Sequence, residues 1–236
     1  FLIPRLEAAG HHPTERTHGL FRHESNGVTF CLVVDDFGVK CTDKAAAEHP
    51  RDTLRKHYTI TEDWEGSKYT SARLVTKGKQ AWTHGRFEIR AKVPAGRGTW
   101  PAIWLLPVEW NLGNGLWPDV GEIDIMEQTG ANKNETLGTL HWFDSGTNAN
   151  ASYGEKTGVT NASSEFHTYT MEWTDQSIKI FLDDVEFYEM TNTSSLPFNA
   201  DFFLILNVAM GGTLGGTIDA NFTQATMEID YVKVYQ

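Results

Sequence analysis

Hydrophobic and polar positions alternate along much of the chain, which is the pattern of β-strands that bury one face. In residues 86–93, charged and apolar side chains alternate without a break until Pro94 ends the run. Asp183 and Asp184 stand between two further runs and predict a hairpin turn. Almost every residue of 202–209 is apolar, which predicts a strand buried on both faces. Other predicted strands lie at residues 28–34, 54–60, 168–173, 177–182, 185–190 and 227–231.

Short strands at close spacing, with almost no helical period, predict an all-β protein. We expect a single-domain antiparallel β-sandwich of the jelly-roll type over residues 1–236, because no linker, repeat or low-complexity tract interrupts the chain. Residues 1–50 are its irregular N-terminal part. Within them, the polar, His-rich residues 1–27 predict an irregular arm packed on the domain, and residues 43–48 predict one helical turn before Pro50.

Three carboxylates fall within six residues in the run Gly121 to Glu127, which reads GEIDIME. Strict alternation puts Glu122 and Asp124 on one face of a strand and leaves Glu127 on the opposite face. One extra residue, inserted as a β-bulge with Met126 as its expected place, returns Glu127 to the acidic face. Taken alone, the run fits a solvated acidic face or a cation site as well as a catalytic one.

Cleavage of a glycosidic bond requires two carboxyl groups on either side of it. A separation of about 5–5.5 Å gives retention of configuration, and about 6.5–9.5 Å gives inversion. Because Glu122 and Glu127 lie on one short strand, we expect the close spacing and a retaining double displacement. Asp124 between them can hydrogen-bond the nucleophile, and a neighbouring ionised carboxylate raises the pKa of the acid. The three titrations are expected to be coupled.

The formal net charge of -11 disfavours nucleic acid and anionic membranes as partners, because both are bound through Lys and Arg. It also weakly disfavours sulfated polymers. No apolar run reaches the roughly 18 residues of a membrane-spanning helix. Eight tryptophans offer flat surfaces on which a neutral polyhydroxylated ligand can stack. We expect a neutral polysaccharide partner and a monomeric protein.

Cysteine and sequon content bear on the compartment of the protein. Cys31 and Cys41 could form a disulfide or remain two buried thiols. Several Asn-x-Ser/Thr sequons favour a secreted eukaryotic protein, and secretion in turn favours the disulfide. The sequons lie at Asn134, Asn150, Asn161, Asn192 and Asn221. No CxxC or HExxH motif occurs and the histidines are scattered, so no zinc site is predicted.

Residues Trp117 to Glu127, which read WPDVGEIDIME, resemble the active-site strand of glycoside hydrolase family 16. The residue between the aspartate and the second glutamate is similar to the laminarinase branch of that family, whereas the branch that cleaves mixed-linkage glucan usually lacks it. Further stretches resemble the family in the same order along the chain. They are residues 70–73, 85–94, 98–107, 138–141, 206–212 and 230–235.

The resemblance implies a jelly roll with a concave cleft and endo-cleavage of β-1,3-glucan without a catalytic cofactor. It assigns Glu122 as nucleophile, Glu127 as acid/base and Asp124 as assisting acid. It also implies substrate-binding roles along the cleft, although a core position for one tryptophan and a structural role for the asparagine remain alternatives. The substrate-binding positions are Arg73, Trp100, Trp104, Trp117, His141 and Asn207.

The N-terminal part departs from the family, since the match covers roughly residues 54–236. The family usually opens with Trp and Asp-Glu-Phe, and residues 34–37 are the nearest counterpart here. Many members hold a structural calcium ion. Asp230 matches one ligand position for it, and the other ligands would come from the N-terminal part.

Two alternative functions fit part of the same pattern. One is hydrolysis of another β-linked polysaccharide, namely mixed-linkage glucan, agarose or carrageenan. The other is recognition of β-glucan without catalysis. Recognition proteins that resemble the family typically lose the catalytic glutamates, whereas Glu122 and Glu127 are both present. We therefore expect an enzyme that is secreted and acts on β-glucan.

Overall fold

The computed structural model describes residues 69–236 and, before them, the backbone of residues 11–14, 17–23, 29–33 and 36–40. The chain divides into two compact units, Phe1–Thr70 and Ser71–Gln236, which are treated separately below. Compactness does not by itself show that a unit folds alone. The single domain over residues 1–236 therefore stays a prediction.

The first unit contains a four-stranded antiparallel sheet in the order β1-β2-β3-β4. The strands are β1 His11–Thr14, β2 Thr17–His23, β3 Thr29–Val33 and β4 Asp36–Lys40. The strand predicted at residues 28–34 is confirmed. The irregular arm predicted over 1–27 is wrong where β1 and β2 lie, because backbone pairing can form without a period in the side chains. The turn at 43–48, the strand at 54–60 and the Cys31–Cys41 disulfide lie outside the described residues or side chains.

Residues 71–236 form two antiparallel sheets and one four-residue helix, α1 Gly212–Gly215. The strands are β5 Arg73–Val75, β6 Gly85–Lys92, β7 Thr99–Pro107, β8 Glu122–Thr129, β9 Asn132–Asp144, β10 Ala149–Gly158, β11 His167–Trp173, β12 Ser177–Leu182, β13 Val185–Thr191, β14 Phe202–Met210 and β15 Glu228–Tyr235. One sheet has the order β10-β9-β8-β7-β14-β5 and the other the order β13-β12-β11-β6-β15. The all-β prediction is confirmed. Within the described residues, no helix has the length and apolar character needed to cross a membrane.

The apolar faces of the two sheets share one hydrophobic core. Phe87 and Ile89 of β6 are completely buried and contribute to it, as do Ile123 and Ile125 of β8. Each such side chain stabilises the fold by about 1.5–3 kcal/mol. The intervening charged residues of β6 remain partly exposed, as the alternation of residues 86–93 predicts.

The hairpin predicted around Asp183 and Asp184 is confirmed between β12 and β13. Both aspartates have positive φ angles, 48° and 65°, as the two-residue turn that matches the twist of paired strands requires. The doubly buried strand predicted at 202–209 is confirmed only in part. Residues 202–206 of β14 are buried, but residues 207–210 are half-buried, because this end of the strand borders the open face of its sheet.

Asn192 is one of the five sequon asparagines, yet its side chain is only 3% exposed. Its Nδ2 donates to the carbonyl oxygens of Thr174 at 2.8 Å and Phe198 at 3.0 Å. An asparagine held in this way cannot carry a glycan in the folded protein, since its amide nitrogen is buried and bonded. The other four sequon asparagines are exposed.

We predict that Asn192→Ala destabilises the protein by about 1–3 kcal/mol, because a buried side chain and its hydrogen bonds to two backbone carbonyl oxygens are lost. The matched change Asn150→Ala, at an exposed position of β10, should alter stability by less than about 0.5 kcal/mol. Urea denaturation of both variants measures the difference through the transition midpoint. Equal midpoints for the two variants would show that the Asn192 bonds contribute nothing.

Candidate active site

The three acids of the Gly121 to Glu127 run lie on β8, between β7 and β9. On β7, Trp104 pairs with Asp124 and Ala102 pairs with Glu127. Ala102 and Trp104 lie two residues apart on β7 and therefore share a face of the sheet. Paired residues of neighbouring strands lie on the same face, so Asp124 and Glu127 share that face too. Glu122, two residues before Asp124, lies on that face as well.

The predicted β-bulge in β8 is confirmed. Ile103 of β7 pairs with Met126 and the next residue, Trp104, pairs with Asp124, so Ile125 has no partner on β7. The register with β9 also shifts between Asp124 and Glu127. The unpaired residue is thus Ile125 rather than the neighbouring Met126. Both side chains are completely buried in the core, which anchors the bulge.

Each glutamate accepts a hydrogen bond from a tryptophan indole. Trp117 Nε1 donates to Glu122 Oε2 at 3.1 Å, and Trp100 Nε1 donates to Glu127 Oε1 at 2.9 Å. Trp100 lies at the start of β7, and Trp117 lies in the segment between β7 and β8. The site therefore fixes the orientation of both glutamates from two sides.

Asp124 is the most deeply buried of the three acids, at 3% exposure. His141 of β9 lies beside it, with Nε2 3.3 Å from Asp124 Oδ2. The angle between the two groups does not make a hydrogen bond, and Oδ2 has no hydrogen-bond partner within residues 69–236. The His141 ring also lies 5.6 Å from the Trp117 ring, measured between centroids. His141 therefore lies between the Trp117 ring and the carboxyl group of Asp124.

Burial raises the pKa of all three carboxyl groups above their ordinary values. The negative charge of Asp124 raises the pKa of Glu122 further, and that of Glu127 does the same for Asp124. His141 and the two indole donors act in the opposite direction on the glutamates. As the pKa of Asp124 lies well above its ordinary value, the group retains a proton at a pH where exposed carboxyls are ionised.

A second set of predicted residues meets on β5, β7 and β14. Trp104 Nε1 donates to Asn207 Oδ1 at 2.6 Å, and the Arg73 guanidinium carbon lies 5.0 Å from the centre of the Trp104 ring. Asn207 pairs with Arg73 of β5 on one side and with Ala102 of β7 on the other. Ala102 in turn pairs with Glu127 of β8. Asn207 therefore orients the Trp104 ring. Trp104 lies on the same face of the sheet as Asp124 and also packs against the apolar cluster that contains Ile205.

A pocket of about 210 Å³ opens beside Glu127. Its wall includes Asn132, Glu135 and Lys156, and Glu135 accepts hydrogen bonds from both of the others. Leu214 of α1 closes another side. This space continues the acidic face on the side of Glu127 with groups suited to sugar hydroxyls.

The sequence interpretation missed Trp110 and Leu116, which are 44% and 61% exposed on the segment between β7 and β8. That segment also supplies Trp117. The density of aromatic and glycine residues between 108 and 118 is the signal that could have drawn attention to them.

Asp230 does not meet other metal-binding side chains in the described part of the chain. Its carboxylate accepts a hydrogen bond from Arg90 Nη1 at 2.5 Å. It also belongs to no group of three or more candidate ligands among residues 69–236. The residues described there do not by themselves fit a calcium ion, so the structural calcium remains a prediction that depends on the N-terminal part. The one candidate group among the described residues is Glu122, Asp124 and His141.

A family model for "Glycosyl hydrolases family 16" matches residues 37–233, which is most of the chain. The chain belongs to this family. The match begins at Phe37, well before the start near residue 54 that motif comparison indicates. Family membership accounts for the paired glutamates on one strand, since glycoside hydrolysis requires two carboxyl groups.

Relatives support the assignment. The beta-glucanase of Rhodothermus marinus is 45% identical over 186 residues, which cover 74% of this chain and 65% of that protein, so the chain spans just under two thirds of its length. The glucan endo-1,3-beta-glucosidase of Cryptopygus antarcticus is 32% identical over 215 residues, covering 81% of this chain and 78% of that protein. The crystal structure of the laminarinase from Rhodothermus marinus has a TM-score of 0.68 at 44% identity, over 74% of each chain. The jelly-roll prediction is confirmed by this likeness.

We predict that the two indole donors control opposite limbs of the pH profile. A nucleophile must be ionised, so activity rises with pH through the pKa of Glu122; an acid must be protonated, so activity falls through the pKa of Glu127. Each indole hydrogen bond lowers the pKa of its glutamate, and its removal raises that pKa. Trp117→Phe should move the acidic limb to higher pH, and Trp100→Phe should move the alkaline limb to higher pH, by about one unit or less.

The pH dependence of kcat/KM for glycoside hydrolysis measures both shifts. Phenylalanine keeps an aromatic surface for stacking. Any stacking that is lost lowers the rate at every pH and does not move a limb of the profile. Limbs that stay in place in both variants, or that exchange between them, would contradict the roles assigned to the two glutamates.

Proposed function

We propose that this protein hydrolyses internal β-1,3-glucosidic bonds of laminarin-type β-glucan by a retaining double displacement. The observation that carries the proposal is the bulged strand β8, which puts one buried and two half-buried carboxyl groups on one face beside tryptophan rings. The relatives support this choice of substrate, since they are named beta-glucanase, glucan endo-1,3-beta-glucosidase and laminarinase.

In the first step, a carboxylate oxygen of Glu122 attacks the anomeric carbon and forms a glycosyl ester. Glu127 gives its proton to the glycosidic oxygen, so the leaving sugar departs as an alcohol. In the second step, the Glu127 carboxylate takes a proton from water, and the hydroxide oxygen attacks the same carbon. The Glu122 ester bond breaks, and two inversions give net retention.

Asp124 serves this cycle as a buried neighbour of the nucleophile. The carboxylate oxygens of Glu122 and Asp124 lie within 4.8 Å of each other. With its pKa raised well above the ordinary value, Asp124 carries a proton that it can share with Glu122 as the charge on Glu122 changes. Burial raises the pKa of Glu127, which favours the protonated form that an acid catalyst requires.

The proposed partner is a neutral polysaccharide, which suits a protein with a net charge of -11. Trp100, Trp104 and Trp117 supply flat surfaces on the acidic face, and catalysis by two carboxyls needs no cofactor. We also propose a monomeric, secreted protein. Four exposed sequons support secretion, while the sequon at Asn192 does not, because its side chain is buried.

We predict that the protein releases reducing sugar from laminarin and that Glu122→Ala abolishes this release while leaving the fold intact. Sodium azide should restore turnover in Glu122→Ala, because the small anion takes the place of the missing carboxylate and gives a glycosyl azide of inverted configuration. Glu127→Gln should lose about 10²–10⁴-fold in rate on laminarin. Circular dichroism of both variants controls for folding.

Agarose and barley mixed-linkage glucan serve as comparison substrates in the same reducing-sugar assay. Activity on agarose alone would favour a galactan hydrolase and reject the β-1,3-glucan proposal. Laminarin that binds to the wild type without being cleaved would favour a recognition protein instead. Azide that restores nothing, in a folded Glu122→Ala protein, would reject Glu122 as the nucleophile.

A further inference from the structure

The acidic face of β8 contains a potential ligand set that sequence motifs do not reveal. Glu122, Asp124 and His141 each offer one ligand atom, and the three atoms lie within 4.8 Å of one another. His141 comes from β9, where it pairs with Glu122 in the sheet register. The sheet therefore assembles a three-residue group from positions that share no zinc motif along the chain.

The buried carboxylate of Asp124 gives this group an open coordination position. Its Oδ2 is buried and accepts no hydrogen bond from the described part of the chain, although it lies 3.3 Å from His141 Nε2. In residues 69–236, no Lys or Arg side chain pairs with Asp124 or Glu122. A buried acceptor without a partner is costly, and a cation between the two groups would satisfy it.

The spacing and chemistry of the ligand atoms favour zinc. Atoms bound to Zn²⁺ at about 2.0–2.1 Å in a tetrahedral arrangement lie about 3.3 Å apart. The distance between His141 Nε2 and Asp124 Oδ2 has this value, and a Glu122 oxygen lies within 4.8 Å of a ligand atom of each of these residues. One imidazole with two carboxylates is a zinc-type set, whereas Ca²⁺ and Mg²⁺ prefer oxygen ligands alone.

We propose that Glu122, Asp124 and His141 bind one Zn²⁺ ion, and that the bound ion inhibits the enzyme. Glu122 and His141 are partly exposed, so the ion and its remaining water ligand reach the site from solvent. A lone pair of Glu122 that coordinates zinc cannot attack an anomeric carbon. Zinc and the glucan therefore exclude each other. The inhibition rests on the function proposed above, whereas the binding does not.

Isothermal titration of the full chain with zinc chloride, in a buffer that does not chelate metals, tests the binding directly. We expect His141→Gln to bind zinc at this site at least roughly 100-fold more weakly, so that one zinc equivalent is lost from the titration. The loss of an outer-shell partner already costs up to about 100-fold, and His141 is proposed as a direct ligand. Asp124→Asn, which keeps the side-chain shape, should lose the same equivalent. His84→Asn is the matched control for a histidine outside the group and should keep it. Magnesium and calcium chloride should not occupy the site.

Laminaritriose at saturating concentration should remove the same equivalent from the wild type, and zinc should inhibit laminarin hydrolysis competitively. Unchanged zinc stoichiometry and affinity in both His141→Gln and Asp124→Asn would overturn the proposal. Inhibition that laminarin cannot relieve would overturn the inhibitory role. A protein that binds zinc through this group but cleaves no laminarin would reject only the proposed function, because the titration requires no turnover.

Discussion

One residue more on β8 than on β7 determines the active face of this protein. Without the unpaired Ile125, Glu127 would point into the core, and only Glu122 and Asp124 would face the cleft. The bulge is held in place because Ile125 and Met126 are both completely buried. Its position in the interior of a six-stranded sheet gives the acids a rigid support on both sides.

One buried and two half-buried acids on one face are unfavourable for folding, because desolvation and mutual repulsion both disfavour their ionised forms. The surroundings offset part of this cost. Trp100 and Trp117 donate to the two glutamates, and His141 lies beside Asp124. The rise in pKa that remains serves catalysis, since an acid catalyst near neutral pH requires a raised pKa. The buried Asp124 Oδ2, which has no hydrogen-bond partner among the described residues, is the basis of the proposed zinc site.

Much of this arrangement could be predicted from the sequence. The parity of Glu127 requires a bulge, and the structure has one next to the predicted residue. Strand alternation in 86–93 and the Asp183-Asp184 turn are also local signals, so a single sequence reveals them. The sequence could not reveal which indole meets which glutamate, because those contacts depend on how β7 and the segment after it are placed beside β8. It also gave no warning that Asn192 is buried, since a sequon carries no information on burial. Residues 1–27 lack a period, and their two strands depend on pairing with each other.

The retaining mechanism depends most on Glu122 being the residue that bonds to the sugar. Incubation with a 2-deoxy-2-fluoro laminaribiosyl fluoride would slow the second displacement and trap the glycosyl-enzyme. Peptide mass spectrometry should then find the sugar on the carboxylate of Glu122, and only there. A label on Asp124 or Glu127, or turnover with inversion and no trapped ester, would contradict the retaining mechanism built on the bulged strand.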